Sequence, residues 1–245
     1  MQLLWKVSLA VIAIIVLVPL TAAAWLYFDS RGLPDPQTLA PFAPKSVATV
    51  LDPCLKSPAP VIAIPYDSIG SNMRTALSAA EASEDGPGVM SGYYRTIVHR
   101  EGSRAGLSDL FGRTMFCQAH PGRTIDHHLD SLRLAVQIER RYSHREMFTI
   151  FANRIYFGEG QYGVEAASQH FFHKEPSQLL IQEAALLAGM PKSPARLSPR
   201  THPDLALERR NEVIGKMAAV HSISEADASA AKAIPLSITS APEFR

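Results

Sequence analysis

From Val7 to Phe28 the chain carries no charged residue, in the run "VSLAVIAIIVLVPLTAAAWLYF". That is long enough for a membrane-spanning helix, which needs about 20 predominantly apolar residues. Lys6 precedes the run and Trp25 and Tyr27 stand near its end, so the pattern predicts a single transmembrane helix over 1–29 with its N-terminus in the cytoplasm. Arg31, just past the span, weakens that bias without reversing it. The small residues of "TAAAW" also suit a signal-peptide cleavage site, but the apolar core of a signal peptide is only about 7 to 15 residues, which favours an uncleaved anchor.

The pattern then changes twice. Over 30–66 prolines recur, in "GLPDPQTLAPFAPKS", "ATVLDP" and "APVIAIPYD". Each removes a backbone donor and holds its predecessor extended, so this segment reads as a tether with one or two short strands. Over 67–245 helical periodicity dominates, to about Val220. "SNMRTALSAAEAS" is an Ala-rich helix that stops near Gly-Pro-Gly, and "DHHLDSLRLAVQIERRY" places Leu129, Leu132, Val136 and Ile138 on an apolar stripe. "YSHREMFTIFANRIYF" opens with Ser143 and Glu146 at capping-box spacing. "PSQLLIQEAALLAGM" offers Ser177 as N-cap and Gly189 as terminator, and another helix runs through "PDLALERRNEVIGKMAAV". No repeat of useful period is visible.

Charge removes one class of function. Lys and Arg total 24 against 23 Asp and Glu, a net charge of +1, so the polybasic footprint of nucleic-acid binding is missing. With the anchor as drawn, everything after it lies outside the cytoplasmic membrane, where Cys54 and Cys117 are free to pair. Their separation in sequence leaves that pairing open.

One long stretch is more specific. "YSHREMFTIFANRIYFGEGQYGVEAASQHFFHKEPSQLLIQEAALLAGMPKSPARLSP", followed by "ALERRNEVIGKM", resembles the second half of the family 51 glycosyltransferase domain. This is the peptidoglycan glycosyltransferase of monofunctional transglycosylases and class A penicillin-binding proteins. Weaker likeness extends upstream through "NMRTALSAAE" and downstream through "SISEADASAAKAIPL". The resemblance implies a mainly α, lysozyme-like, bilobal domain behind the single N-terminal transmembrane helix. It also implies a single-pass protein whose domain sits on the periplasmic or extracytoplasmic side and polymerises lipid-linked disaccharide into glycan strands.

Such a transfer from a polyprenyl diphosphate donor needs a base for the attacking hydroxyl and positive charge for the departing diphosphate. In "SAAEASEDGPG" a literal Glu-Asp match picks Glu84 and Asp85, but the register of the preceding helix puts Glu81 where the family has its catalytic glutamate. Glu81 is therefore the candidate base; Ala82, Asp85 and Gly88 occupy the family's Asp, Phe and His positions. In "REGSRAGLSDLFGRTMF", Gly102 and Ser103 echo the start of the second motif while its Thr and paired Gln residues have no counterparts, and Arg104 and Arg113 offer charge. In "RTIDHHLDSLRLA", His127 and His128 replace an Arg-Lys pair and Ser131 replaces a second functional glutamate. Asp130 is adjacent, but one step along a helix turns a side chain by about 100°.

The fourth region fits best, with Asn153, Gly158, Gly160, Tyr162, Gly163 and Glu165, and Arg209 and Arg210 match the last motif. Ser103, Arg113, His127, His128, Asn153, Tyr162 and Arg209 are thus the substrate-binding candidates. No metal ligand is assigned, although a divalent cation (Mg or Mn) is compatible with diphosphate chemistry. Two readings follow: an active glycosyltransferase with Glu81 as base, or a noncatalytic descendant that binds glycan strand or lipid substrate, or scaffolds other cell wall enzymes. Lesser patterns carry little weight. "SAAK" (Ser229 to Lys232) has transpeptidase spacing without room for that domain. His170 and His173 have helical spacing for two metal ligands without a third.

Overall fold

The computed structural model describes residues 16–18, 20–21, 24–25, 47–50, 59–80, 133–134 and 136–239. Two short strands, β1 (Val47–Val50) and β2 (Ala59–Ile62), pair antiparallel with Val47 opposite Ile62 and Val50 opposite Ala59. All other regular structure among the described residues is helical. A 3₁₀ turn (Tyr66–Ile69) leads into α1 (Ser71–Ala80), and residues 133–134 and 136–141 are helical. They are followed by α2 (His144–Arg154), α3 (Val164–Phe172), α4 (Ile181–Gly189), α5 (Pro203–Ala219) and α6 (Glu225–Ala233). The described parts of the N-terminal apolar run are helical, with Val16, Leu17, Val18, Leu20 and Trp25 exposed. Among the described residues no helix is long and apolar enough to cross a membrane.

The helical expectations meet the structure at particular side chains. At the start of α2 the Ser143 hydroxyl accepts from the Glu146 amide, and the Glu146 carboxylate accepts from the Ser143 amide at 2.8 Å, so the reciprocal cap forms as the spacing predicts. Leu134, Val136 and Ile138 are buried; Leu129 and Leu132 lie outside the described residues. The packing centre is α4. Ala184 to Gly189 are all buried, and α4 packs against α1, which buries Met73, Ala76 and Leu77, and against α5, which buries Ala206, Arg209, Arg210, Val213, Ile214, Met217 and Ala218. A helix made largely of Ala and Leu and covered on both sides gains from close approach as well as from transfer out of water, at roughly 25 cal/mol per Å² of apolar surface.

One sequence expectation for α4 is corrected and another is met for a different reason. Ser177 is not its N-cap: Pro176–Gln178 forms a separate 3₁₀ turn, and the helix starts at Ile181 after an extended Leu180. The cap comes from within the helix, where the Glu183 carboxylate accepts the Leu180 amide at 2.9 Å and also takes the Lys174 ammonium at 2.7 Å. Gly189 is the last residue of α4, as expected of a terminator, although the Met190 cap that follows is right-handed and the chain runs on into a 3₁₀ turn (Met190–Lys192). Its missing side chain has a packing cause. A Cβ on Gly189 would stand 2.8 Å from Arg209 Cγ, so glycine lets α5 lie close on α4. A further helix, α6, follows α5. Ser229 and Lys232 sit exposed on it, which makes the "SAAK" spacing part of a surface helix.

Two consequences are measurable. Gly163 caps α3 at φ 82°, ψ 153°, a region essentially reserved for glycine, and a Cβ there would meet the Asn153 carbonyl oxygen at 2.8 Å. Gly163→Ala should therefore lower unfolding free energy by roughly 2 kcal/mol or more in equilibrium denaturation; a change near zero would contradict the close approach. On α5, hydrogen bonding from Arg209 lowers the Glu212 carboxyl from 4.5 to about 2; burial opposes this, while Lys216 and the charges of both cations reinforce it. A depressed carboxyl stabilises the fold above its unfolded value and loses that contribution as pH falls through its folded value. Glu212→Gln should thus lower the melting temperature at pH 7, modestly because the side chain is half exposed. Wild type and variant should converge as pH falls from about 4.5 to about 2.

Candidate functional site

The best-matching sequence region is built at the junction of α2, the turn over 155–163, and the segment that follows β2. Asn153 sits in the last turn of α2 and is buried. Its Oδ1 accepts the Ile64 amide at 2.9 Å, and its Nδ2 donates to the Ile64 carbonyl at 2.9 Å. Ile64 lies beyond the paired part of β2, so the carboxamide supplies the two bonds that a neighbouring strand would have made. Val61 and Ala63 are buried beside it, so the end of the proline-rich segment is bonded into the helical core.

The turn that follows is closed by backbone bonds. Phe157 donates to the Gln161 carbonyl at 3.0 Å, Gln161 to Gly158 at 2.9 Å, and Gly163 to Ile155 at 2.9 Å, while Tyr156 and Tyr162 form a β-bridge. Gly158, Gly160 and Gly163 all take positive φ, as expected of glycines between two helices. Tyr162 is buried, and its ring stacks on that of Tyr156 with centroids 4.6 Å apart. Asn153 and Tyr162 are thereby brought to one junction, since Gly163 abuts the Asn153 backbone.

Arg209 lies on α5 against α4. It is buried, donates from Nε to the Gly189 carbonyl at 3.4 Å and pairs with Glu212 at 2.8 Å. Its neighbour Arg210 is more deeply buried and donates to the carbonyls of Lys232 and Ile234 at the end of α6, at 3.1 and 2.8 Å, and to Asn211 Oδ1. Burial lowers its pKa from the ordinary guanidinium value. A cation is the natural partner for those last helix carbonyls. The candidates Glu81, Ser103, Arg113, His127 and His128 lie outside the described residues, as do Glu84, Asp85, Ser131, Cys54 and Cys117. The described part of α1 reaches Ala80, one residue before Glu81.

A cluster that no motif signals centres on Glu159. Its Oε2 meets His170 Nε2 at 2.8 Å and accepts Arg200 Nε at 2.9 Å, and its Oε1 accepts the Ser198 hydroxyl at 3.0 Å. Burial raises its carboxyl pKa, but the three hydrogen bonds and the Arg200 charge outweigh this and the net direction is down. With both oxygens occupied and the proton held less tightly than usual, Glu159 is an acceptor of fixed charge and not a base poised near neutral pH. The partners stand 11 to 41 residues away in sequence, a separation that leaves no periodic signal. His170 is thus committed to Glu159, while His173 leaves the helix in a left-handed cap. Among the described residues no three His, Cys, Asp or Glu side chains gather as a metal set.

The comparisons with known proteins agree with the stretch that carries the resemblance. The family model described as "Transglycosylase" matches residues 61–218. Penicillin-binding protein 1A of Aquifex aeolicus is 29% identical over 226 residues, which cover 86% of this chain and 31% of that protein. Penicillin-binding protein 1F of Bacillus subtilis is 43% identical over 84 residues, 34% of this chain and 12% of that one. The chain spans about a third or less of the length of these relatives. Among solved structures, penicillin-binding protein 1A of Haemophilus influenzae aligns over 76% of this chain and 19% of its own at 22% identity, with a TM-score of 0.48. That partial superposition adds nothing to the sequence match, which covers more than half of the chain. The chain belongs to the transglycosylase family found in the penicillin-binding proteins.

Proposed function

We propose that the chain is a peptidoglycan glycosyltransferase-type protein that takes lipid-linked disaccharide at the outer face of the cytoplasmic membrane and extends glycan strands. The observation that carries this reading is the family match over 61–218. The apolar run over 7–28 supports a membrane anchor, and the family resemblance supports a lysozyme-like, two-lobed arrangement around the acceptor groove.

In this reading Glu81 takes the proton of the attacking sugar hydroxyl as the new glycosidic bond forms at the donor's anomeric carbon and the polyprenyl diphosphate leaves. Ser103, Arg113 and the His127–His128 pair line the donor side. Neutral histidines hold a diphosphate less firmly than an Arg-Lys pair does, and a divalent cation such as Mg or Mn is the natural supplement. Turnover is accordingly expected to be slow and sensitive to a chelator.

A second reading is favoured by a specific observation. By the family resemblance, the second functional glutamate is Ser131 here and the paired glutamines have no counterparts. A protein that keeps the groove and has lost the chemistry would hold glycan strand or lipid substrate, or scaffold other wall enzymes.

Incubating the full chain in detergent with fluorescent lipid-linked disaccharide and a divalent cation separates the two. The enzyme reading predicts polymer that is abolished by Glu81→Gln and reduced by chelation. Retention of the labelled lipid by wild type and variant alike, without polymer, would establish the binding reading instead.

A further inference from the structure

After α6, residues 235–239, "PLSIT", include no fully buried side chain; Leu236 and Ile238 pack half-buried against the core, so burial holds the segment only in part. Both ends are nevertheless fixed by arginines. At the near end Arg210 donates to the Lys232 and Ile234 carbonyls. At the far end Arg200 Nη1 donates to the Thr239 carbonyl at 2.8 Å.

Thr239 in turn completes α3. Its amide donates to the Phe171 carbonyl at 2.9 Å, and its hydroxyl donates to the Phe171 carbonyl at 3.0 Å and the His170 carbonyl at 3.3 Å. These belong to the last turn of α3, whose carbonyls have no partner within the helix. A distant segment therefore provides the cap.

Arg200 reaches Thr239 with its other edge held by Glu159. Its Nε bonds Glu159, which also meets His170 on α3 and Ser198 on Arg200's own loop. Glu159 adopts φ 51°, an uncommon left-handed conformation for a residue other than glycine, so the turn supplies this carboxylate at some backbone cost. One carboxylate thus ties together the 155–163 turn, α3, the loop before α5 and the chain after α6.

We propose that residues 235–239 form a releasable strap over the C-terminal end of α3, and that Glu159 is the latch that keeps it closed by aiming Arg200 at Thr239. Opening the latch frees the strap and uncaps α3 while the α1–α4–α5 packing stays intact. The turn that carries Tyr156 and Tyr162 and the segment after α6 are then mechanically linked: what loosens one loosens the other.

Hydrogen–deuterium exchange on the full chain in detergent at pH 7 tests this with two variants. Glu159→Gln keeps the shape and removes the charge that strengthens the bonds from Arg200 and His170. Arg200→Lys keeps the charge and loses the fork that touches Glu159 and Thr239 together. Both should speed exchange over 236–239 and in the last turn of α3 by about tenfold or more, with α1, α4 and α5 unchanged. Unchanged exchange in the strap would overturn the proposal. So would a uniform rise across all helices, or variants that fail to fold, since either result would make Glu159 a support of the whole fold instead of a local latch.

Discussion

The paired hydrogen bonds between the Asn153 carboxamide and the Ile64 backbone are the constraint on which this arrangement depends. Ile64 has left the hairpin and has no strand beside it among the described residues, yet it enters a core where an unpaired amide or carbonyl costs about 1 to 3 kcal/mol. Asn153 answers both groups at 2.9 Å from the last turn of α2. The same turn must then reverse so that α3 can start against the Asn153 carbonyl, which is possible only because Gly163 has no side chain there. Strand, helix end and helix start are fixed by one side chain and one missing side chain.

This bears on what a motif means. Asn153, Gly163 and Tyr162 belong to the region where the family resemblance is strongest, and each is occupied by packing: a backbone clamp, a close approach, and a ring stacked on Tyr156. Arg209 and Arg210 of the last motif similarly hold α4 and the end of α6. A long ordered match in these places is strong support for the family and weaker support for turnover. The proposed chemistry rests instead on the earlier motifs, where Ser131 stands at the position the family resemblance gives to a glutamate.

Local physics was legible in the sequence wherever it was local in the chain. The Ser143–Glu146 cap needs only three residues of spacing, and the proline-rich segment announced short strands. What stayed hidden depends on partners distant in sequence. Gly189 does end α4, but the reason no side chain fits there is Arg209, twenty residues on. Ser177 looked like a cap because serine is a preferred cap residue, but the apolar run after it starts its helix only at Ile181. The Glu159 cluster had no signal at all, since its bonds to Ser198 and Arg200 span about 40 residues and obey no helical or strand period.

The central claim, that the matching Asn serves the fold before it serves a substrate, is tested most directly by equilibrium urea unfolding of Asn153→Ala. The substitution removes both bonds to Ile64 and leaves its amide and carbonyl buried. A loss of about 2 to 4 kcal/mol in unfolding free energy is predicted. Stability within about 0.5 kcal/mol of wild type, the scatter of an ordinary surface change, would contradict it.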